Sequence, residues 1–539
     1  MPTYKTPGVY VEEIATLPPS VADVATAIPA FLGYTESGPK GQPTRLTSMV
    51  DYAHYFGGPK PTAFTVTMAD SGDLAITKTA PDGSPAKPPA YLMYYSLKMY
   101  FDNGGGPCYV VSVGNYAAAP QQADFTAGLA ALEKEDEPTL ILLTDAVNLG
   151  SDYYGLCQTA LDQCGKLGDR FAILDILDGD NRAAAFRQGI GINNLKYGAA
   201  YFPFLQTTLP YAYVESQVTV KWPPTFQIEN GIRVTSTTTG VSPKVQIVAG
   251  SGTGLDFDVT DGALSIKNVG NTGTAGAQVV AAWQAWKAKP GNKPQGFDVT
   301  QVGDGSAMVT PAASQNLTVP SNTLDELKDS QTQLYNQVKA ALGRQRVVMP
   351  PSPAMAGIYA AVDRDRGVWK APANVSVASV LGPTVKVTND DQDHLNVDPT
   401  AGKSINAIRS FAGKGTIVWG ARTLAGNDNE WRYINVRRLF NMIEESTRKA
   451  SAFAVFEAND ATTWLKVKGM IDSYLYGLWE QGALAGPTPD KAYYVNVGLG
   501  KTMTAQDILE GRMIVEIGIA AVRPAEFIVI RFSHKMQGA

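Results

Sequence analysis

Histidine and cysteine are scarce, three of each in 539 residues. Cys108, Cys157 and Cys164 are odd in number and none forms a Cys-x-x-Cys pair, so neither a disulfide framework nor a zinc site is expected. Three histidines and no nucleophile motif leave little material for acid–base or metal-assisted hydrolysis. No apolar run reaches the ~18 residues of a membrane-spanning helix. The opening residues lack the apolar segment of a secretory signal, so export by that route is not expected. A net charge of −5 argues against a broad nucleic-acid-binding surface.

What is present is the ordinary balance of a globular protein, 44% hydrophobic and 18% charged. The length predicts roughly two to four domains. Apolar runs at Thr139–Leu143, Phe171–Leu177 and Tyr197–Leu205 alternate with helical patterns near 152–167 and 181–190. That rhythm predicts a parallel sheet covered on both faces. Residues 57–90 are rich in Pro, Gly and Thr and read as a surface excursion from this region. Residues 206–322 turn to Thr, Gly, Val, Ser and Asn, with alternating stretches at Lys244–Val248 and Leu264–Val269. They read as an inserted, mostly β domain. One helix is expected over 323–342, another over 430–450 and a third over 462–481. Three strand patterns close the chain, at Ala492–Gly498, Met513–Val522 and Phe527–His534. At the other end, Val9–Glu13 is a strand pattern isolated by Pro7-Gly8 and Pro18-Pro19, with no hairpin partner nearby. Such a strand pairs with something distant, or with another chain.

Several segments together resemble contractile tail sheath proteins. They are Pro7–Glu13, Ile28–Glu36, Arg346–Ser352, Arg366–Asn374, Gly415–Leu424, Trp431–Glu445 and Ala525–Ile528. The likeness covers residues 1–55 and 340–539 and is nearer to extracellular contractile injection systems than to a typical virus tail. It implies a mixed α/β, multidomain chain: an N-terminal arm at 1–27, an α/β domain at 28–205, the inserted β-rich domain at 206–322, a C-terminal sheath domain at 323–523 and a C-terminal arm at 524–539. It also implies no cofactor, no metal and no catalytic residue. The expected partners are neighbouring copies of the chain, an inner tube, and baseplate and cap proteins, without nucleic acid or membrane insertion. The expected location is a phage-tail-like particle assembled in the bacterial cytoplasm.

In this family the arms add strands to neighbouring subunits. Here the candidate strands are Val9, Tyr10, Val11, Glu12 and Glu13, and Phe527, Ile528, Val529, Ile530 and Arg531. The helix at 430–450 is the candidate for the tube-facing element, through Arg437, Arg438, Arg448 and Lys449, set off from a buried stripe of Val436, Phe440 and Ile443. Modest ionic contacts suit a tube that must be released.

Two other classes stay open on sequence. Asp175, Asp178 and Asp180 follow an apolar strand, where carboxylates of an α/β enzyme can hold magnesium; a solvated loop with Asp180 capping the next helix is the plainer reading. A surface-displayed binding protein could present residues 206–322. Ala401-Gly402-Lys403-Ser404 lacks the upstream glycine of a phosphate-binding loop, since Val397 stands there. Asp391, Asp393 and His394 read as a polar loop. Deleting residues 1–15 separates the classes: a sheath subunit stays folded but forms no filaments by electron microscopy, whereas an enzyme or adhesin keeps its activity.

Overall fold

The computed structural model describes residues 20–69, 72–79, 91–117, 119–180, 182–237, 242–252, 254–400 and 402–530. The chain divides into two compact units, one of residues 1–59, 90–209 and 348–539, the other of 60–89 and 210–347.

The first unit is built on an eight-stranded sheet. Its strands are β1 (Pro29–Thr35), β2 (Thr44–Leu46), β3 (Cys108–Asn115), β4 (Leu140–Leu143), β5 (Phe171–Asp175), β6 (Gly198–Phe202), β7 (Ile405–Phe411) and β8 (Gly415–Trp419), in the order β2-β3-β1-β4-β5-β6-β7-β8. The six inner strands are parallel, and β2 and β8 are antiparallel edges. Every residue of β1, β4, β5 and β6 is buried, as continuous apolar strands covered on both faces require. Helices α1 (Met93–Asp102), α2 (Gln122–Leu132), α3 (Asp152–Leu167) and α4 (Ser352–Arg366) accompany the sheet. The α3 helix ends where Gly168 takes φ +76° and returns its N–H to Cys164 O at 2.9 Å.

The strand order corrects the expected domain plan. Strands from before and after the insertion share this sheet, so residues 28–205 and the C-terminal sheath region fold as one body rather than two. The C-terminal part adds α5 (Ile434–Ala450), α6 (Ala461–Glu480) and a hairpin sheet of β9 (Tyr493–Val497) and β10 (Val515–Ile519). Asp460 starts α6, accepting from Thr462 N at 2.9 Å and Thr463 N at 3.1 Å. Leu439, Met442 and Ile443 of α5 pack with Val467, Met470, Ile471, Leu475 and Leu478 of α6.

The second unit takes up the stretch expected to be a surface excursion. Ala63–Met68 pairs in parallel with Val218–Lys221, and Leu74–Thr79 pairs with Ala63–Met68. A separate sheet of Lys244–Ala249, Asp256–Thr260, Ala263–Val269 and Ala312–Asn316 shares a core with the helix Gly276–Lys287, whose Trp283 and Trp286 stack at 5.1 Å. The helix expected over 323–342 is split into Leu327–Ser330 and Thr332–Leu342. Its first residues are held as strand instead: Ser321–Thr323 pairs with Thr219–Lys221, and Leu324 N donates to Val218 O at 2.9 Å.

Two carboxyl groups lock the carboxyl ends of the sheet. Asp145, just past β4, accepts from Tyr34 N at 2.5 Å and from Leu92 N at the start of α1. A side chain at Gly33 would press within 2.3 Å of Thr144 Oγ1 and 2.6 Å of Asp145 Oδ2, so only glycine permits this approach. Asp175, the last residue of β5, accepts from Ser352 N at 2.8 Å and Ser352 Oγ at 2.6 Å, fixing the first turn of α4. Burial pushes both carboxyls up to about 7 despite these donors. Their folded-state affinity for a proton therefore exceeds the unfolded one. Their contribution to stability is full below ~pH 4 and is lost as pH rises through 7. Asp175→Asn removes this titration, so between pH 4 and 7 its thermal midpoint should rise relative to wild type, measured by scanning calorimetry across that window.

Candidate assembly site at the roots of the two arms

Val9–Glu13 and Arg531 lie outside the described residues. The chain enters at Ser20 and runs along the C-terminal helices, where Val21 and Val24 join their core. Tyr474 OH donates to Asp23 at 2.6 Å, and Val24 N donates to Ser446 Oγ at 3.1 Å. At Thr26 the segment meets a buried ion pair. Arg438 bonds Asp363 and also donates to Thr26 O at 2.9 Å, while Thr26 Oγ1 donates to Asp363 at 2.5 Å. The Arg438 guanidinium lies over the Tyr359 ring at 4.7 Å.

A second clamp holds the other end. Arg422 forks onto Glu526, with Nε at 2.9 Å from Oε1 and Nη2 at 2.7 Å from Oε2. Asn396 Nδ2 at 2.8 Å and Tyr433 OH at 3.2 Å complete the carboxylate's partners. Burial opposes ionisation of Glu526, but Arg422 and Asn396 outweigh it and hold the carboxyl below its usual range. Arg422 is itself fixed by Asn406 of β7, which accepts from Arg422 N at 2.8 Å and donates to Arg422 O at 2.8 Å. Asn435 Nδ2 adds Val522 O at 3.1 Å and Trp369 O at 2.9 Å. Immediately past Glu526, Phe527, Ile528, Val529 and Ile530 are all more than 70% exposed and pair with no strand of the chain. Four consecutive apolar side chains in water are a surface awaiting cover.

The expected tube-facing cations divide. Arg437 and Arg438 are a correction: both are buried inside the subunit. Arg437 bonds Glu444 at 3.0 Å and Asn441 at 2.7 Å and lies 4.3 Å over the Trp431 ring. Arg438 is spent on the Asp363 clamp. Helical periodicity placed them off the stripe of Val436, Phe440 and Ile443, but α5 is packed on more than one side, which a periodicity argument for a surface helix does not anticipate. Arg448 and Lys449 are exposed, each paired with Glu445 and Asp136.

The acidic strand end does not form a metal cage. Asp175 is committed to Ser352, and Asp180 caps Ala184–Gly189, accepting from Phe186 N at 2.9 Å. Asp178 is exposed. Lys403 of the glycine-lysine-serine stretch is buried and donates to Arg187 O. Asp391 belongs to a helix, Asn389–Asn396, rather than a loop, and forms a capping box with Thr388. Among the described residues, no group of His, Cys, Asp or Glu is arranged to hold a metal, and no helix is long and apolar enough to cross a membrane.

The partners Asp363 and Asn406 escaped sequence reasoning. The segments containing Arg422 and Glu526 were both singled out by resemblance, but a pair about 100 residues apart in sequence has no local signal.

A buried anchor at each end of the chain, with an unpaired apolar strand beyond one of them, defines a subunit of a polymer. Residues 426–535 match the phage tail sheath C-terminal domain family. The tail sheath protein of Vibrio phage KVP40 is 29% identical over 136 residues, and that of Enterobacteria phage T4 is 26% identical over 132. These stretches cover 25% and 24% of this chain and about a fifth of each relative. The sheath complex of an extracellular contractile injection system, PVC, solved in its contracted state, is 27% identical, with a TM-score of 0.57 and 99% of both chains covered. The contracted helical sheath of the anti-feeding prophage is also 27% identical at a TM-score of 0.57, covering 99% of this chain and all of that one. The chain belongs to the contractile tail sheath proteins, a structural family rather than an enzymatic one.

Arg422→Ala leaves Glu526 without its main partner and should cost about 2–3 kcal/mol locally. Amide exchange at residues 522–526 should accelerate while the central sheet stays protected. Wild type should show the same loosening as pH falls below ~4.5, because the depressed Glu526 pKa makes its contribution one that is lost on acidification.

Proposed function

We propose that the chain is the sheath subunit of a phage-tail-like contractile particle. It polymerises helically around an inner tube and shortens to drive that tube into a target cell. The observation that carries the linkage is the Phe527–Ile530 segment, exposed and unpaired just beyond a buried anchor. Its side chains alternate, Phe527 and Val529 on one face, Ile528 and Ile530 on the other, as a strand added to a neighbour would need. A receiving surface exists in β9 and β10. A two-stranded sheet is marginal alone and gains from further strands. Val9–Glu13 is assigned the reciprocal role at the other end, and Arg531 continues the C-terminal strand. Head-to-tail donation of this kind generates an open helix rather than a closed dimer.

Arg448 and Lys449 are assigned to the inner tube. Their existing pairs with Glu445 and Asp136 leave a nearly neutral group, which suits a contact that must be given up. Baseplate and cap proteins complete the assembly, which is built in the bacterial cytoplasm and acts outside the producing cell.

Negative-stain electron microscopy of the purified chain tests this. Hollow striated tubes of uniform width are expected, and replacing Ile528 and Ile530 with Asp should leave monomers. Absence of filaments both from the chain alone and on co-expression with tube and baseplate proteins ends the proposal.

A further inference from the structure

The C-terminal helical part carries a second apolar surface that the arms do not account for. Between α5 and α6 the loop brings Val455 and Phe456 to the surface. Phe456 is fully exposed and sits at φ +68°. A bulky side chain in the left-handed region is strained, and one that touches nothing gains no packing in return.

The neighbouring residues are also apolar and exposed. Trp464 Nε1 donates to Asn459 at 2.7 Å, and Asn459 Nδ2 donates to Arg512 O at 3.1 Å. Thr502 Oγ1 donates to Ile514 O at 2.6 Å and accepts from Gly498 N at 3.2 Å. These bonds tie three segments into one end of the fold. On them, Leu465, Leu499, Leu509 and Ile514 are exposed.

We infer that this end is a contact surface for a second copy of this chain. Two arguments select that occupant. First, the surface continues the hairpin sheet: Leu499 follows β9 by two residues and Ile514 immediately precedes β10. That sheet is the element assigned above to receive a neighbour's arm, so the inference rests on the sheath reading. Second, its chemistry suits a lasting contact. Permanent interfaces are more apolar than transient ones, and exposed aromatics are favoured anchors. A tube that slides free calls for weaker, more polar contacts.

Phe456→Gly tests this directly, because glycine accepts φ +68° without strain. The variant should melt at or above the wild-type temperature as a monomer. Co-expressed as the full chain with tube and baseplate proteins, it should yield at least ~10-fold less sheath by sedimentation and electron microscopy. Leu465→Ser, on a different segment, should lower the yield in the same direction. Wild-type sheath yields from both variants overturn the inference and leave the sheath reading standing. A monomer that melts several degrees lower in both variants overturns it too, by making the patch part of the fold. Normal empty sheaths that fail to retain tube would reassign the surface to the tube. Absence of particles from wild type sinks the sheath reading, and this inference with it.

Discussion

The first unit depends on a short parallel pairing between β6 and β7, Ile405 with Ala200, Asn406 with Tyr201 and Ala407 with Phe202. It joins strands about 200 residues apart in sequence and so carries a large loop-closure cost before any contact rewards it. That cost grows only slowly with loop length, so a whole second unit can be inserted between Leu209 and Val348 without undoing the sheet. The pairing also reaches the C-terminal arm through side chains. Asn406 sits in its middle, orients Arg422, and Arg422 grips Glu526. Loss of the pairing would therefore release the arm as well as the sheet edge.

Much of the first unit was legible because buried parallel strands and their helices leave strong local patterns. The helix at 152–167 is found where its periodicity placed it, and the three apolar runs became β4, β5 and β6 with ends trimmed by a few residues. Grouping was not legible. The excursion at 57–90 has the composition of a loop, yet Phe64 and Val66 are buried because Val218 and Val220 pair beside them. A strand whose partner lies about 150 residues away carries no nearby sign of it.

Charged residues misled the reading most. Arg437 and Arg438 look like a surface pair by type, since arginine is seldom fully buried. Both are buried because each has a carboxylate and an aromatic face waiting, Glu444 with Trp431 and Asp363 with Tyr359. Arginine's planar fork suits such sites better than lysine's point charge. The same rule explains Arg422. Where an arginine in this fold is buried, it is holding the chain in place, and the cations left outside are the ones free to meet another molecule.

The two anchors converge on one helix. Arg438 in α5 holds the entering chain at Thr26, while Tyr433 and Asn435, at the start of the same helix, hold the departing chain at Glu526 and Val522. Only a turn or two of backbone separates these grips. In a polymer joined through its arms, α5 is then a crossbar between two tethers. Tension arriving on one arm passes to the other through a few hydrogen bonds in series and need not load residues 210–347. The helical part would act as the link of a chain, and the inserted unit could vary in sequence or size without altering the path that force takes along the filament.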